Sequence, residues 1–192
     1  MLFNLTDKLL DSQIKNNKIE ESDRELYQYG YNLLILQCLN FSVLVLISLL
    51  FHCLIYMALF AVVYIPLRSY AGGYHASTPI GCAIFSAILE LVIAATLRFS
   101  LFNFLLPGMF ALTFVAQIII WLNAPIEAVH KPLGDGQKQK FRKITRTILL
   151  IEAAVLIVLC MKNHHSPAGF VIGISHIILA MMMLLPDRKS VV

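Results

Sequence analysis

Apolar and polar residues fall along this chain in long blocks. From Leu33 to Leu67 there are 35 residues with no Asp, Glu, Lys or Arg. A single helix of that length would run roughly 52 Å, against roughly 30 Å for the hydrocarbon core of a bilayer. The block therefore predicts two helices of about 17 residues each, with the hairpin tip at 50–53, where His52 is the most polar residue. A third apolar run extends from Ile80 to about Leu97, a fourth from about Phe104 to Leu122, a fifth over about 147–161 and a sixth over about 168–185. Ahead of them, Leu2, Leu5, Leu9, Leu10 and Ile14 recur at helical spacing among Asp7, Lys8, Asp11 and Lys15. That pattern predicts an amphipathic helix lying at a membrane surface. Tyr27, Tyr29 and Tyr31 then suit an interfacial aromatic belt. Between the runs lie a polar stretch at 68–79, a basic loop at 123–146 and a short turn at 162–167.

Composition agrees with the blocks. Of the 192 residues, 59% are hydrophobic and only 14% charged, where a soluble domain carries about 25% charged residues. Mean hydropathy is +0.78. A soluble helical domain would need charges between its apolar stripes, and here whole runs lack them. The expectation is an all-α integral membrane protein, residues 1–192 forming one membrane domain of six transmembrane helices. The first 30 residues have no apolar core of signal-peptide type, so the first apolar run is expected to serve as its own insertion signal.

Charge decides the orientation. With six helices and both termini in the cytoplasm, the inside segments hold 13 of the 15 Lys and Arg residues, and only Arg98 and Lys162 fall outside. That bias is what the positive-inside rule expects. The net charge of +4 is modest and the basic residues cluster in loops, which suits membrane topology better than nucleic-acid binding. The 68–82 stretch is therefore expected on the cytoplasmic side of the membrane.

Chemistry concentrates in that stretch. Of four cysteines, Cys38, Cys53 and Cys160 lie inside apolar runs, where Cys behaves as a small hydrophobe. Cys82 follows Thr78-Pro79, a helix-start signal, so it falls near the fourth residue of a helix. Orphan N–H groups and the positive end of the helix dipole favour a thiolate there. The dipole alone is worth roughly 0.3–1 kcal/mol, so a base is needed, and His75 is the nearest candidate. On a continuous helix their separation of seven positions would be a rise of roughly 10.5 Å. Pro79 opposes a continuous helix, and Gly72-Gly73 supplies a turn on which the chain can double back. Ser86 and Glu90, one and two turns beyond Cys82, are candidate orienting groups. Glu90 and Glu152 also count as ionisable residues inside apolar runs. His176 reads as a packed or hydrogen-bonded core residue. His164-His165 sits on a turn without Cys, Asp or Glu neighbours, and no metal or cofactor is expected.

Arg68, Gly72-Gly73, His75 and Cys82, at this spacing before an apolar run, resemble the accessory gene regulator B (AgrB) family. So do Ala124-Pro125-Ile126-Glu127 and Lys131-Pro132-Leu133, and the six runs extend the resemblance over essentially the whole chain. The resemblance implies a cysteine endopeptidase with His75 and Cys82 as its catalytic pair, processing the precursor of a cyclic quorum-sensing peptide through a thioester on Cys82. It implies a precursor with an amphipathic N-terminal part and an acidic C-terminal tail. Arg68, Gly72, Gly73, Glu127, Lys131 and Pro132 become candidate substrate contacts. A homodimer is compatible with it. Two rival readings stay open on the residues alone: a non-catalytic peptide transporter or export component, and a membrane thiol acyltransferase.

Overall fold

The computed structural model describes residues 2–16, 19–73, 79–126, 134–163 and 166–185. Among them there are seven α-helices, one 3₁₀ turn at Glu21–Asp23 and no strand. The helices are α1 (Leu2–Lys15), α2 (Arg24–Leu50), α3 (Leu54–Ala71), α4 (Pro79–Arg98), α5 (Phe102–Asn123), α6 (Asp135–Lys162) and α7 (Pro167–Leu184). Five of them are long and apolar enough to cross a membrane: Gly30–Leu50 of α2, Leu54–Ala71, Ile80–Arg98, Gly136–Lys162 of α6 and Pro167–Leu184. In α5 the apolar stretch is the shorter Gly108–Asn123. The all-helical reading therefore stands.

The hairpin tip lies within the expected 50–53, and its chemistry explains why no Gly marked it. Cys53 N–H bonds the Ser48 carbonyl at 2.9 Å and His52 N–H bonds that of Leu49 at 3.2 Å. This six-to-one and inner pairing is a Schellman closure, with His52 in the left-handed position at φ 54°. The α4–α5 turn repeats it: Leu101 N–H bonds Thr96, Ser100 N–H bonds Leu97, and Ser100 has φ 56°. Two boundaries differ from expectation. The stretch 123–146 is not all loop, since α6 begins at Asp135 and carries its basic residues on helical turns before the apolar run. The stretch from Arg68 is not all loop either, since α3 continues to Ala71.

The chain divides into two compact units, residues 1–44 and 45–192. In the first, polar side chains of α1 meet the start of α2: Arg24 pairs with Asp11 at 2.7 Å, Gln28 bonds Asp7 at 2.8 Å, and Tyr31 bonds Gln13 at 2.8 Å. In the second unit α7 is central. Two-thirds of its membrane window (67%) is buried, against 17% for α6 and 33% for α3, and α3, α5 and α6 pack around it. The outer faces of the surrounding helices leave Val62, Ile88, Phe114 and Ile157 exposed, as a lipid-facing surface requires.

Helix packing inside a bilayer relies on close backbone approach and interhelical hydrogen bonds. Both are present. A Cβ at Gly173 on α7 would lie 2.7 Å from Thr113 Oγ1 and Met109 Cε of α5, so α5 sits as near as it does because that position has no side chain. Deeper in polarity, fully buried His176 of α7 bonds Glu152 of α6 through Nε2 at 2.9 Å and Gln117 of α5 through Nδ1 at 3.3 Å. The expected core role of His176 is met, and Glu152 has its partner. His176→Leu should lower stability in detergent by about 1 kcal/mol, the loss of two interhelical hydrogen bonds at about 0.6 kcal/mol each. An unchanged melting temperature would show that the three-helix link contributes nothing.

Candidate functional site

The site is built where α3 ends and α4 begins. Arg68 lies in the last turn of α3, and Cys82 is the fourth residue of α4, as the Thr-Pro signal predicted. Thr78 itself lies outside the described residues, as does His75. Tyr64 and Arg68 from α3, Gly81, Cys82, Phe85 and Ser86 from α4, and Met182 from α7 line one cavity of about 190 Å³. The thiol, a guanidinium, a phenol and a hydroxyl therefore share one pocket, whose other described lining residues are Gly81, Phe85 and Met182. Arg68 donates from Nη1 to Met182 Sδ at 2.8 Å, and the Tyr64 hydroxyl donates to the same sulfur at 2.9 Å.

The Gly-Gly turn has a packing role that the sequence reading did not anticipate. Gly72 caps α3, its N–H bonding the Arg68 carbonyl at 3.0 Å, with φ 77° and ψ −156°. That region of backbone space is open essentially to glycine alone. A Cβ on Gly72 would also run into the carbonyl oxygen of Ile126. The cause of the crowding is a second strand of chain. Ile126 N–H donates to the Ala71 carbonyl at 2.9 Å, so the segment after α5 closes the open end of α3. Gly73, at φ 131°, lies where a Cβ would be 3.3 Å from Arg68 Nη1 and 3.6 Å from Met182 Cβ. The two glycines thus bring three segments together beside the cavity.

That segment is held in turn from α6. Arg142 Nε donates to the Ala124 carbonyl and Arg146 to the Trp121 carbonyl, each at 3.3 Å. Arg146 also lies 4.6 Å over the Trp121 ring. Cations at the end of α5 satisfy carbonyls that the helix leaves orphaned and face the negative end of its dipole. Ala124-Pro125 is a cis peptide. Tyr70 of α3 meets Phe141 of α6 edge to face at 5.5 Å. So the basic side chains of this region do more than set topology: two of them pin the segment that docks on Gly72.

Of the residues singled out from sequence, Arg68, Cys82 and Ser86 are brought into one cavity, and Gly72 and Gly73 beside it. Glu90 is on α4 but buried away from the lining, and its Oε2 has no hydrogen-bond partner among the described residues. Glu127, Lys131, Pro132 and His164-His165 lie outside the described residues. Among the described residues no three His, Cys, Asp or Glu side chains gather as metal ligands would. Sequence reasoning missed Tyr64 and Met182. Tyr64 could have been found, because it stands one helical turn from Arg68 on the same face. Met182 carries no such signal.

Compared with known proteins, residues 5–185 match the family described as Accessory gene regulator B. The chain is 27% identical over 150 residues to a protein of Clostridium perfringens (strain SM101 / Type A) whose name calls it AgrB-like, covering 74% of this chain and 69% of that one. It is 24% identical over 149 residues to AgrB-like protein 2 of Clostridium perfringens (strain 13 / Type A), with the same coverage. No solved structure matches the chain significantly.

Proposed function

The chain belongs to the accessory gene regulator B family, and from that premise we propose that it is a membrane cysteine endopeptidase that cleaves a small quorum-sensing precursor and closes it into a thiolactone. The observation that carries this reading is the place of Cys82: the first turn of α4, opening into a cavity it shares with Arg68. Cys82 Sγ attacks a backbone carbonyl of the precursor. His75 takes the thiol proton and returns it to the leaving amine as the C–N bond breaks. The acidic C-terminal part departs, and the N-terminal part stays on Cys82 as a thioester. A Cys thiol within the bound peptide then attacks that carbonyl, passes its proton back to the Cys82 sulfur by way of His75, and leaves a ring. Apolar walls around the cavity hold water away from the acyl-enzyme.

In this reading all six apolar helices span the plasma membrane, α5 included, with both termini in the cytoplasm and α1 lying at the inner interface. Arg68, Glu127, Lys131 and Pro132 meet the precursor, while Gly72 and Gly73 shape the wall it lies against. A reporter fused at Gly136 should read cytoplasmic, and an external reading would overturn the topology.

The Glu152–His176 pair inside the apolar helices is the observation that favours the rival reading of a peptide export component. Co-expression separates the two. Membranes holding the protein and a short precursor with an amphipathic N-terminal part, an internal Cys and an acidic tail should release the tail as a fragment seen by mass spectrometry. A transport component would leave the precursor whole.

A further inference from the structure

The cavity at Cys82 holds a phenol for which the scheme above has no use. Tyr64 faces the nucleophile's helix from α3, across the space where a substrate carbonyl would enter. Its ring is stacked on Phe60, centroids 5.1 Å apart and planes within 11°, so its direction is set by packing. Its hydroxyl ends on Met182 Sδ at 2.9 Å, and Met182 is itself buried in α7.

The choice of acceptor is informative. A thioether sulfur is a weak acceptor, whereas a carbonyl oxygen is a good one and an oxyanion a better one. A donor that rests on sulfur gains by exchanging it for oxygen. The gain is largest when negative charge has developed on that oxygen. This is the property required of a group that stabilises the transition state more than the bound substrate. Nucleophile and donor also line one cavity from different helices, so the sulfur of Cys82 can approach the carbonyl carbon while a donor on α3 meets the oxygen.

We propose that Tyr64 is a further catalytic residue, whose hydroxyl leaves Met182 and donates a hydrogen bond to the oxyanion formed when Cys82 adds to the peptide carbonyl. The proposal rests on the reading of Cys82 as nucleophile. As the S–C bond forms, the carbonyl π pair moves onto oxygen and Tyr64 O–H bonds it, keeping its own proton. On collapse the pair returns, the C–N bond breaks, the amine takes the proton carried by His75, and Tyr64 falls back to the sulfur. The same donor serves the second step, when the internal thiol adds to the thioester.

Tyr64→Phe keeps the ring and its stacking on Phe60 and removes one O–H. In membranes with the same precursor, kcat for cleavage should fall about 10²–10³-fold, the usual loss for one oxyanion donor. KM should stay within about threefold, since the bond is made after binding. Alkylation of Cys82 by iodoacetamide should proceed at the wild-type rate, because the hydroxyl is not what exposes or holds the thiol. A Tyr64→Phe protein that cuts at the wild-type rate while Cys82→Ala is inactive overturns the role of Tyr64 and leaves that of Cys82. A Tyr64→Phe protein in which Cys82 alkylation changes together with kcat overturns it too, by showing that the hydroxyl supports the site's shape. If Cys82→Ala cuts the precursor, both readings fall.

Discussion

Cys82→Ala and His75→Ala should each leave the precursor uncut while the protein reaches the membrane at its normal level. The expected loss is at least about 10³-fold, because the two residues act as one unit and removing either removes covalent catalysis. Alanine at Cys82 is structurally mild. The position is half-exposed at the rim of a cavity, and Ala is a better helix former than Cys. Loss of cleavage with normal membrane level would therefore report chemistry and not folding. The remaining cysteines provide the control. Cys38 is exposed and Cys53 closes the α2–α3 turn through its backbone, while Cys160 packs beside Leu156 and Ile172. None is among the residues that line the cavity, so Ser at each one singly should preserve cleavage. Full activity in Cys82→Ala would end the cysteine mechanism.

Gly72→Ala should have a large effect for a single added methyl group. Two costs coincide there. The backbone at φ 77° and ψ −156° is one that a residue with a Cβ occupies at about 1–3 kcal/mol. The added carbon also overlaps the carbonyl oxygen of Ile126, which cannot yield without breaking the Ile126–Ala71 hydrogen bond. At roughly 2–4 °C per kcal/mol for a chain of this size, the melting temperature should fall by about 5–10 °C. Cleavage should fall further than stability alone explains, since Arg68 and Met182 stand next to the same turn. Gly136→Ala is the matched control. Nothing lies within 4 Å of a Cβ at that position, so thermal stability should be unchanged. Equal melting temperatures for Gly72→Ala and wild type would show that the close approach of the two segments is not maintained.

Much of the membrane architecture was legible because it is written in residue type. Runs without charge mark the long apolar helices, and Thr78-Pro79 marks the start of α4, which placed Cys82 at its fourth position. The boundaries that were misplaced have a common cause. Lys138, Lys140, Arg142, Lys143 and Arg146 are good helix formers, so a basic stretch reads as loop only while membrane burial is the sole criterion. The structure carries α6 back to Asp135 through them. The two tight turns were unmarked because His52 and Ser100 take left-handed positions where Gly or Asn would have announced them. At the site, Cys82 was placed by the helix-start signal and Ser86 by its spacing from Cys82, while Arg68 was singled out through the family resemblance. Tyr64 and Met182 were not, because their meeting is a tertiary fact: 118 residues separate them in sequence. The role of Gly72 likewise depends on Ile126, whose arrival at the end of α3 no local pattern predicts.

The most direct measurement is the intact mass of the protein after incubation with a precursor whose internal Cys is replaced by Ala, so that the ring cannot close. The acyl-enzyme should then accumulate. We expect a mass increase equal to the N-terminal fragment less one water, located on the peptide containing Cys82 and released by neutral hydroxylamine. It should be absent in Cys82→Ala. Release of the acidic tail with no mass added to the wild-type protein, or the same adduct in Cys82→Ala, would contradict the thioester and with it the account of how this protein works.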